Sequence, residues 1–165
     1  MKTTSNKHPW MIVVIILFSA FLGRMECYGQ NSAQGSGYVD LGLPSGTSWK
    51  ESNEGTDYYS YTEALSKFGN NLPTHQQLEE LRESCQWVFA DGGYQVTGPN
   101  GNVIFLPTAG IRFCNGTIYG IGLYGYFWSR TTDKSENAWY IGYNAKRIDI
   151  SKQAYCIGLP IRLVR

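Results

Sequence analysis

Thr74-His75-Gln76-Gln77-Leu78-Glu79-Glu80-Leu81-Arg82-Glu83-Ser84-Cys85-Gln86-Trp87 is the stretch in which the chain changes period. Thr74 and Gln77 have capping-box spacing, in which each side chain satisfies a backbone N–H that a helix start leaves without a partner. Leu78, Leu81 and Cys85 then share one stripe, with Glu79, Glu80, Arg82 and Glu83 outside it, so a helix is expected directly after Pro73. Upstream, Ser60-Tyr61-Thr62-Glu63 repeats the signature. Tyr61, Ala64, Leu65 and Phe68 follow at i, i+3, i+4 and i+7, and Gly69 is placed to end the helix.

Beyond Trp87 the period becomes two. Tyr94–Thr97, Val103–Leu106, Tyr126–Arg130, Ala138–Tyr143, Arg147–Ile150 and Ile161–Val164 are short runs bounded by glycine and turn residues, and each reads as a strand. Gly98-Pro99-Asn100-Gly101 is a tight hairpin between the first two, because asparagine and glycine tolerate positive φ. Near the front, Tyr38–Leu43 reads as a further strand, turning at Pro44-Ser45-Gly46. Helices first and strands after predict an α+β domain: two short helices packed on a small, mostly antiparallel, twisted sheet.

Ahead of this domain, Lys2, Lys7 and His8 precede an uncharged apolar run, Met11 to Leu22, that breaks off at Gly23-Arg24. That layout predicts a secretory signal peptide over residues 1–29 with cleavage at Gly29/Gln30. The run falls short of the ~20 residues a membrane span needs. Arg24-Met25-Glu26 before Cys27 is no lipid-attachment box. A flexible segment (30–37) and one domain (38–165) follow, with an extracytoplasmic location and no membrane span after cleavage. Losing Lys2, Lys7, Arg24 and Glu26 turns a formal net charge of +1 into −1. With no basic block left to meet a phosphate backbone, nucleic acid is excluded as the expected partner.

Catalytic chemistry finds little support. Nucleophilic catalysis wants a base beside the nucleophile, and His75, at a helix start, is the one histidine left after cleavage. Glu79, Glu80 and Glu83 form a solvated helix face. Asp133 and Glu136 are too few for a calcium cage. Gly120-Ile121-Gly122-Leu123-Tyr124-Gly125 matches a dinucleotide fingerprint in letters, but a strand rather than a helix is expected after it. Asn115-Gly116-Thr117 is a glycosylation sequon, relevant only in a eukaryotic secretory pathway. Cys85, Cys114 and Cys156 are an odd set allowing one bridge at most, and are read as buried small apolar residues. No cofactor and no metal site is expected.

Aromatic content is the unusual feature: 15% of the chain, with 12 tyrosines. Alternation along strands should turn about half of those in the second half outward, where tyrosine and tryptophan are rigid contact groups with a polar tip.

Several strings occur together and in order: Tyr38-Val39-Asp40-Leu41-Gly42-Leu43-Pro44-Ser45-Gly46-Thr47, Leu72-Pro73-Thr74, Gly98-Pro99-Asn100-Gly101, Leu106-Pro107-Thr108-Ala109-Gly110, Gly125-Tyr126-Phe127-Trp128-Ser129 and Ile161-Arg162-Leu163-Val164. The chain resembles, over nearly all of residues 38–165, the Fibrobacter succinogenes major paralogous domain family. The resemblance implies an exported bacterial protein, common in gut Bacteroidetes, with a C-type-lectin-like fold. Two departures stand out: the segment between Trp49 and Leu72 is short, and Arg130 replaces a second serine after Trp128-Ser129. The Glu-Pro-Asn and Trp-Asn-Asp calcium motifs of the wider fold do not occur. Cys114 with Cys156 does not resemble the active-site pair of the related sulfatase-activating enzymes. Relatives of the fold vary the face of their last strands, which here implies an outward row of Arg147, Asp149, Ser151, Gln153 and Tyr155, alternating with Ile148 and Ile150, with Lys146 and Trp139 beside it.

The sequence thus predicts a non-enzymatic binding or adhesion module that contacts a protein or carbohydrate through its C-terminal sheet. The alternatives are a cell-envelope hydrolase using Cys114, Ser129 or the acidic helix residues, and a structural envelope subunit.

Overall fold

Both capping boxes close. In the computed structural model, which describes residues 37–133 and 135–165, helix α1 (Tyr61–Phe68) starts at Ser60, whose hydroxyl accepts from the Glu63 N–H while the Glu63 carboxylate accepts from the Ser60 N–H. Helix α2 (His75–Ser84) starts at Thr74 in the same way with Gln77. Gly69 ends α1 at φ 49°, its N–H donating to the Leu65 carbonyl. The expected leader, residues 1–29, lies outside the described residues.

Among the described residues there are ten strands. β1 (Tyr38–Asp40) pairs antiparallel with β2 (Ser48–Lys50). β3 (Gln86–Ala90), β4 (Gly93–Thr97) and β5 (Val103–Pro107) form an antiparallel meander, and β6 (Ile111–Arg112) and β7 (Ile118–Tyr119) a short hairpin. β8 (Tyr124–Thr132), β9 (Asn137–Asn144) and β10 (Arg147–Ala154) form a second meander in the order β10-β9-β8. The class is α+β as expected, but with several small antiparallel sheets in place of one. At the expected hairpin the Gly101 N–H donates to the Gly98 carbonyl at 2.9 Å. The turn docks on the front of the chain, where Asn100 and Asn102 both donate to the Asp40 carbonyl and a side chain at Gly98 would collide with Leu41.

Four strands escaped the period rule. β2, β6 and β7 are two or three residues long, too short to show alternation, and β3 carries adjacent exposed Val88 and Phe89. Conversely, Ile161–Val164 is not a regular strand. Its backbone is shared among several partners: the Leu163 carbonyl accepts from Lys50, that of Ile161 from Glu54, and the Val164 N–H donates to Asn71. Val164 and Trp49 make an isolated bridge, so the two ends of the domain meet at β2.

The two helices lie on opposite faces of the β10-β9-β8 sheet. Leu78 and Leu81 of α2 join Phe127, Ile141, Tyr143, Trp49 and the inner side of the β3-β4-β5 sheet in one core. Tyr61 and Ala64 of α1 join Trp128, Ala138, Leu159 and Ile161 in the other. Leu65, expected on the buried stripe of α1, is 42% exposed, because α1 touches the sheet through one edge only.

The cysteine expectation is corrected. Cys114 and Cys156 form a disulfide, and Cys85 is a half-buried free thiol. The bridge ties the tip of the β6–β7 hairpin to the turn after β10, where Arg112 and Gly158 also exchange two backbone hydrogen bonds. Spacing did not show it because the pair is 42 residues apart.

Candidate ligand-binding face

Register decides which side chains share a face. Across the second meander Tyr126 lies opposite Gly142 and Gly142 opposite Asp149; Tyr124 lies opposite Asn144 and Asn144 opposite Arg147; Trp128, Tyr140 and Ser151 form the next row. Directly opposed residues point the same way, so these side chains stand on the α1 side of the sheet. α1 covers only part of it. Trp128 is fully buried, with Tyr61 edge-on at 5.6 Å and its indole N–H donating to the Tyr59 carbonyl. Beyond Trp128 the face opens to solvent.

At the centre of the open part is Gly142. A Cβ there would meet the Tyr140 ring at 2.9 Å and the Tyr126 ring at 3.0 Å, so only glycine lets the two rings close over this point of the strand. Tyr124, Tyr126 and Tyr140, with Arg147 and Asp149 on the rim, line a recess of about 80 Å³. The rings continue as a row: Tyr126 to Tyr140 at 5.8 Å, Tyr124 to Tyr126 at 6.3 Å and Tyr119 to Tyr124 at 6.2 Å, the last two pairs near-parallel. Tyr119 comes from the β6–β7 hairpin, which the disulfide holds. Burial pushes the Tyr126 and Tyr140 hydroxyls above the usual tyrosine value, a bond from Ser151 partly offsetting this at Tyr140. Both stay protonated at neutral pH, able to donate and accept.

Arg147 Nε meets Asp149 Oδ2 at 2.7 Å, with side chains 73% and 46% exposed. In the open an ion pair adds little stability. Its place on the rim matters more: a planar donor fork and an acceptor stand together beside aromatic rings.

The residues expected at this site divide. Arg147, Asp149 and Ser151 stand together, with Lys146 exposed in the turn before them and Gln153 at the far end beside buried Ala138. Two expectations are corrected. Trp139 projects from the opposite face, one position out of phase, where its ring lies 3.9 Å from that of His75 and 4.8 Å from Lys152 Nζ. Tyr155 turns inward beyond the end of β10, stacking on Tyr61 at 4.6 Å and bonding the Thr132 hydroxyl. The outward row also missed its most important neighbours, Tyr124, Tyr126, Tyr140 and Gly142. The two-residue connection between Asn144 and Arg147 was the available signal, because it sets the β9–β10 register.

The side chains considered for catalysis are engaged elsewhere. Cys114 is in the disulfide. Ser129 is fully buried, its hydroxyl accepting from Thr131 N–H. His75 pairs with Glu79 at 3.5 Å. Asp133 is held by Lys152 at 2.6 Å and by Ser135. The Gly120–Gly125 loop leads into β8 rather than a helix. Among the described residues no three metal-ligating side chains gather, and no helix is long and apolar enough to cross a membrane.

Burial, with Glu80 nearby, pushes the Cys85 thiol from its usual 9.0 up to about 11. The raised value favours the protonated folded form, so this contribution to stability is intact below pH 9 and is lost as pH rises from 9 towards 11. Folded protein treated with a maleimide at pH 7.5 should label Cys85 slowly and no other described cysteine. Rapid labelling of Cys85 would contradict its burial, and labelling of Cys114 or Cys156 would contradict the disulfide.

No family model, no curated protein and no solved structure matches this chain.

Proposed function

We propose that this is an exported, non-enzymatic recognition module that meets its partner, a carbohydrate or a protein, with the open face of β8, β9 and β10. The observation that carries the reading is the row of tyrosines ending at the exposed Arg147–Asp149 pair. Rigid rings lose little conformational freedom on binding, and a polar pair beside them adds orientation.

Three further points support it. Of the groups named for the hydrolase alternative, Cys114 is bridged and Ser129 is fully buried. A disulfide between solvent-facing loops suits an oxidising compartment, in line with the signal-like leader. The order of the two helices and the later strands, and the closing of the last residues on β2, are in keeping with a C-type-lectin-like fold and with the Fibrobacter succinogenes major paralogous domain family, both of which belong to this proposal.

Probing a glycan and surface-protein array with the labelled protein tests it. Replacing Arg147 and Asp149 together by alanine should abolish array binding and leave the melting temperature within about 1 °C, because exposed pairs contribute little to stability. Binding that survives the double substitution refutes the site.

A further inference from the structure

We infer that the ligand of this face is a neutral glycan chain, its pyranose rings lying on the tyrosine row and vicinal hydroxyls of one sugar reaching into the recess beside Arg147 and Asp149. The inference rests on the recognition reading above and narrows it by chemistry.

Size comes first. A recess of about 80 Å³ is too small to enclose a sugar, so a pyranose must lie across it, with one apolar C–H face against a ring. Tyr126 and Tyr140 line the recess, and the row continues through Tyr124 to Tyr119 at spacings of 5.8 to 6.3 Å. Those spacings are comparable to one residue of a glycan chain. Such a row suits a repeating polymer better than one compact side chain.

Charge comes next. Among the residues lining the recess, Arg147 and Asp149 are the charged ones and they face each other at 2.7 Å. An acidic sugar would meet the Asp149 carboxylate, and a cationic peptide the Arg147 guanidinium. A neutral diol meets neither penalty. Each hydroxyl both donates and accepts, so one can take an N–H of Arg147 while its neighbour donates to Asp149. The protonated Tyr140 hydroxyl, held beside Ser151, offers a further partner of both kinds.

Gly142 supplies a substitution that tests the recess without removing a polar group. Its φ is not in the left-handed region, and the atoms nearest an added Cβ belong to the two tyrosine rings. Gly142→Ala should therefore push those rings out of place and reshape the recess, and Tyr126→Ala should remove one wall.

Affinity electrophoresis of the full protein through gels containing a neutral glucan, mannan or xylan, and in parallel polygalacturonate, is the experiment. Expected are retardation by at least one neutral polysaccharide and none by polygalacturonate. Affinity should fall by about tenfold or more in Gly142→Ala and in Tyr126→Ala, and change less than about twofold between 50 and 500 mM salt, since no net charge is neutralised. Circular dichroism of each variant shows whether it is folded, and an unfolded one leaves the other to decide. Preference for polygalacturonate, no retardation by any neutral polysaccharide, or retardation unchanged in both folded variants overturns the inference. Array binding of a protein partner that is lost on changing Arg147 and Asp149 overturns the glycan assignment while keeping the recognition reading, whereas binding indifferent to every one of these changes overturns both.

Discussion

Arg162→Ala lowers the free energy of unfolding by about 3–4 kcal/mol, which for a domain of this size is a large share of the total. Arg162 is fully buried. Its Nη1 donates to the Lys50 carbonyl at 2.7 Å and its Nη2 to the Phe105 carbonyl at 2.6 Å, joining β2 to the edge of β5. Nε has no partner among the described residues. Truncation leaves two part-buried carbonyls without these donors, each worth about 1–3 kcal/mol, and a cavity in addition. One term opposes this: desolvation of the guanidinium, which drops its pKa from its ordinary value to about 10, is relieved. The two orphaned carbonyls and the cavity together outweigh it. Urea denaturation of the variant beside the wild type measures the difference, and Arg162→Met, which keeps most of the volume, should recover the cavity part alone. Unchanged or higher stability in Arg162→Ala would mean that the buried charge, not its two hydrogen bonds, dominates there.

Cys114→Ser with Cys156→Ser, or reduction by a dithiol, removes the constraint that closes a loop of 42 residues. The chain-entropy relation puts such a closure at about 4 kcal/mol, equivalent to a fall of about 15 °C in melting temperature for a domain of this length. Differential scanning calorimetry with and without dithiol reads it. A second consequence is local. The β6–β7 hairpin has two residues in each strand, and without the bridge its attachment at that end is the Arg112–Gly158 pair. Amide exchange at Ile118 and Tyr119 should therefore accelerate more than exchange in β9. Because Tyr119 is the outer member of the tyrosine row, the reduced protein should also bind less tightly. A melting temperature that does not respond to reduction would show that the unfolded chain gains little freedom from losing the bridge.

How far the site could be read in advance is seen in Trp139 and Tyr140. Both lie in a run with the right composition for a strand, and both are partly buried, so composition does not separate them. Pairing does: Tyr140 opposes Ser151 and shares the open face, while Trp139 opposes Lys152 and lies against His75. A one-residue phase choice exchanges the two faces of a strand. The expected row Arg147, Asp149, Ser151 had the right phase within β10, since Ile148 and Ile150 pack on the main core. It went wrong where the strand ends, and Tyr155 turns under α1.

What the amino-acid sequence determined by itself is local. Ser60 with Glu63, Thr74 with Gln77, and the Gly98–Gly101 turn each act within three or four residues, where the chain has few ways to satisfy its own hydrogen bonds. Helix starts, one hairpin and the α+β class followed from them. Tertiary structure alone decided the partner of Cys114, the burial of Arg162 and the closing of the Tyr126 and Tyr140 rings over Gly142, because each depends on groups from distant segments arriving at one point. Long-range contacts are set by the simultaneous burial of two cores, Leu78 and Phe127 in one and Tyr61 and Trp128 in the other. No single stretch of the chain encodes that condition.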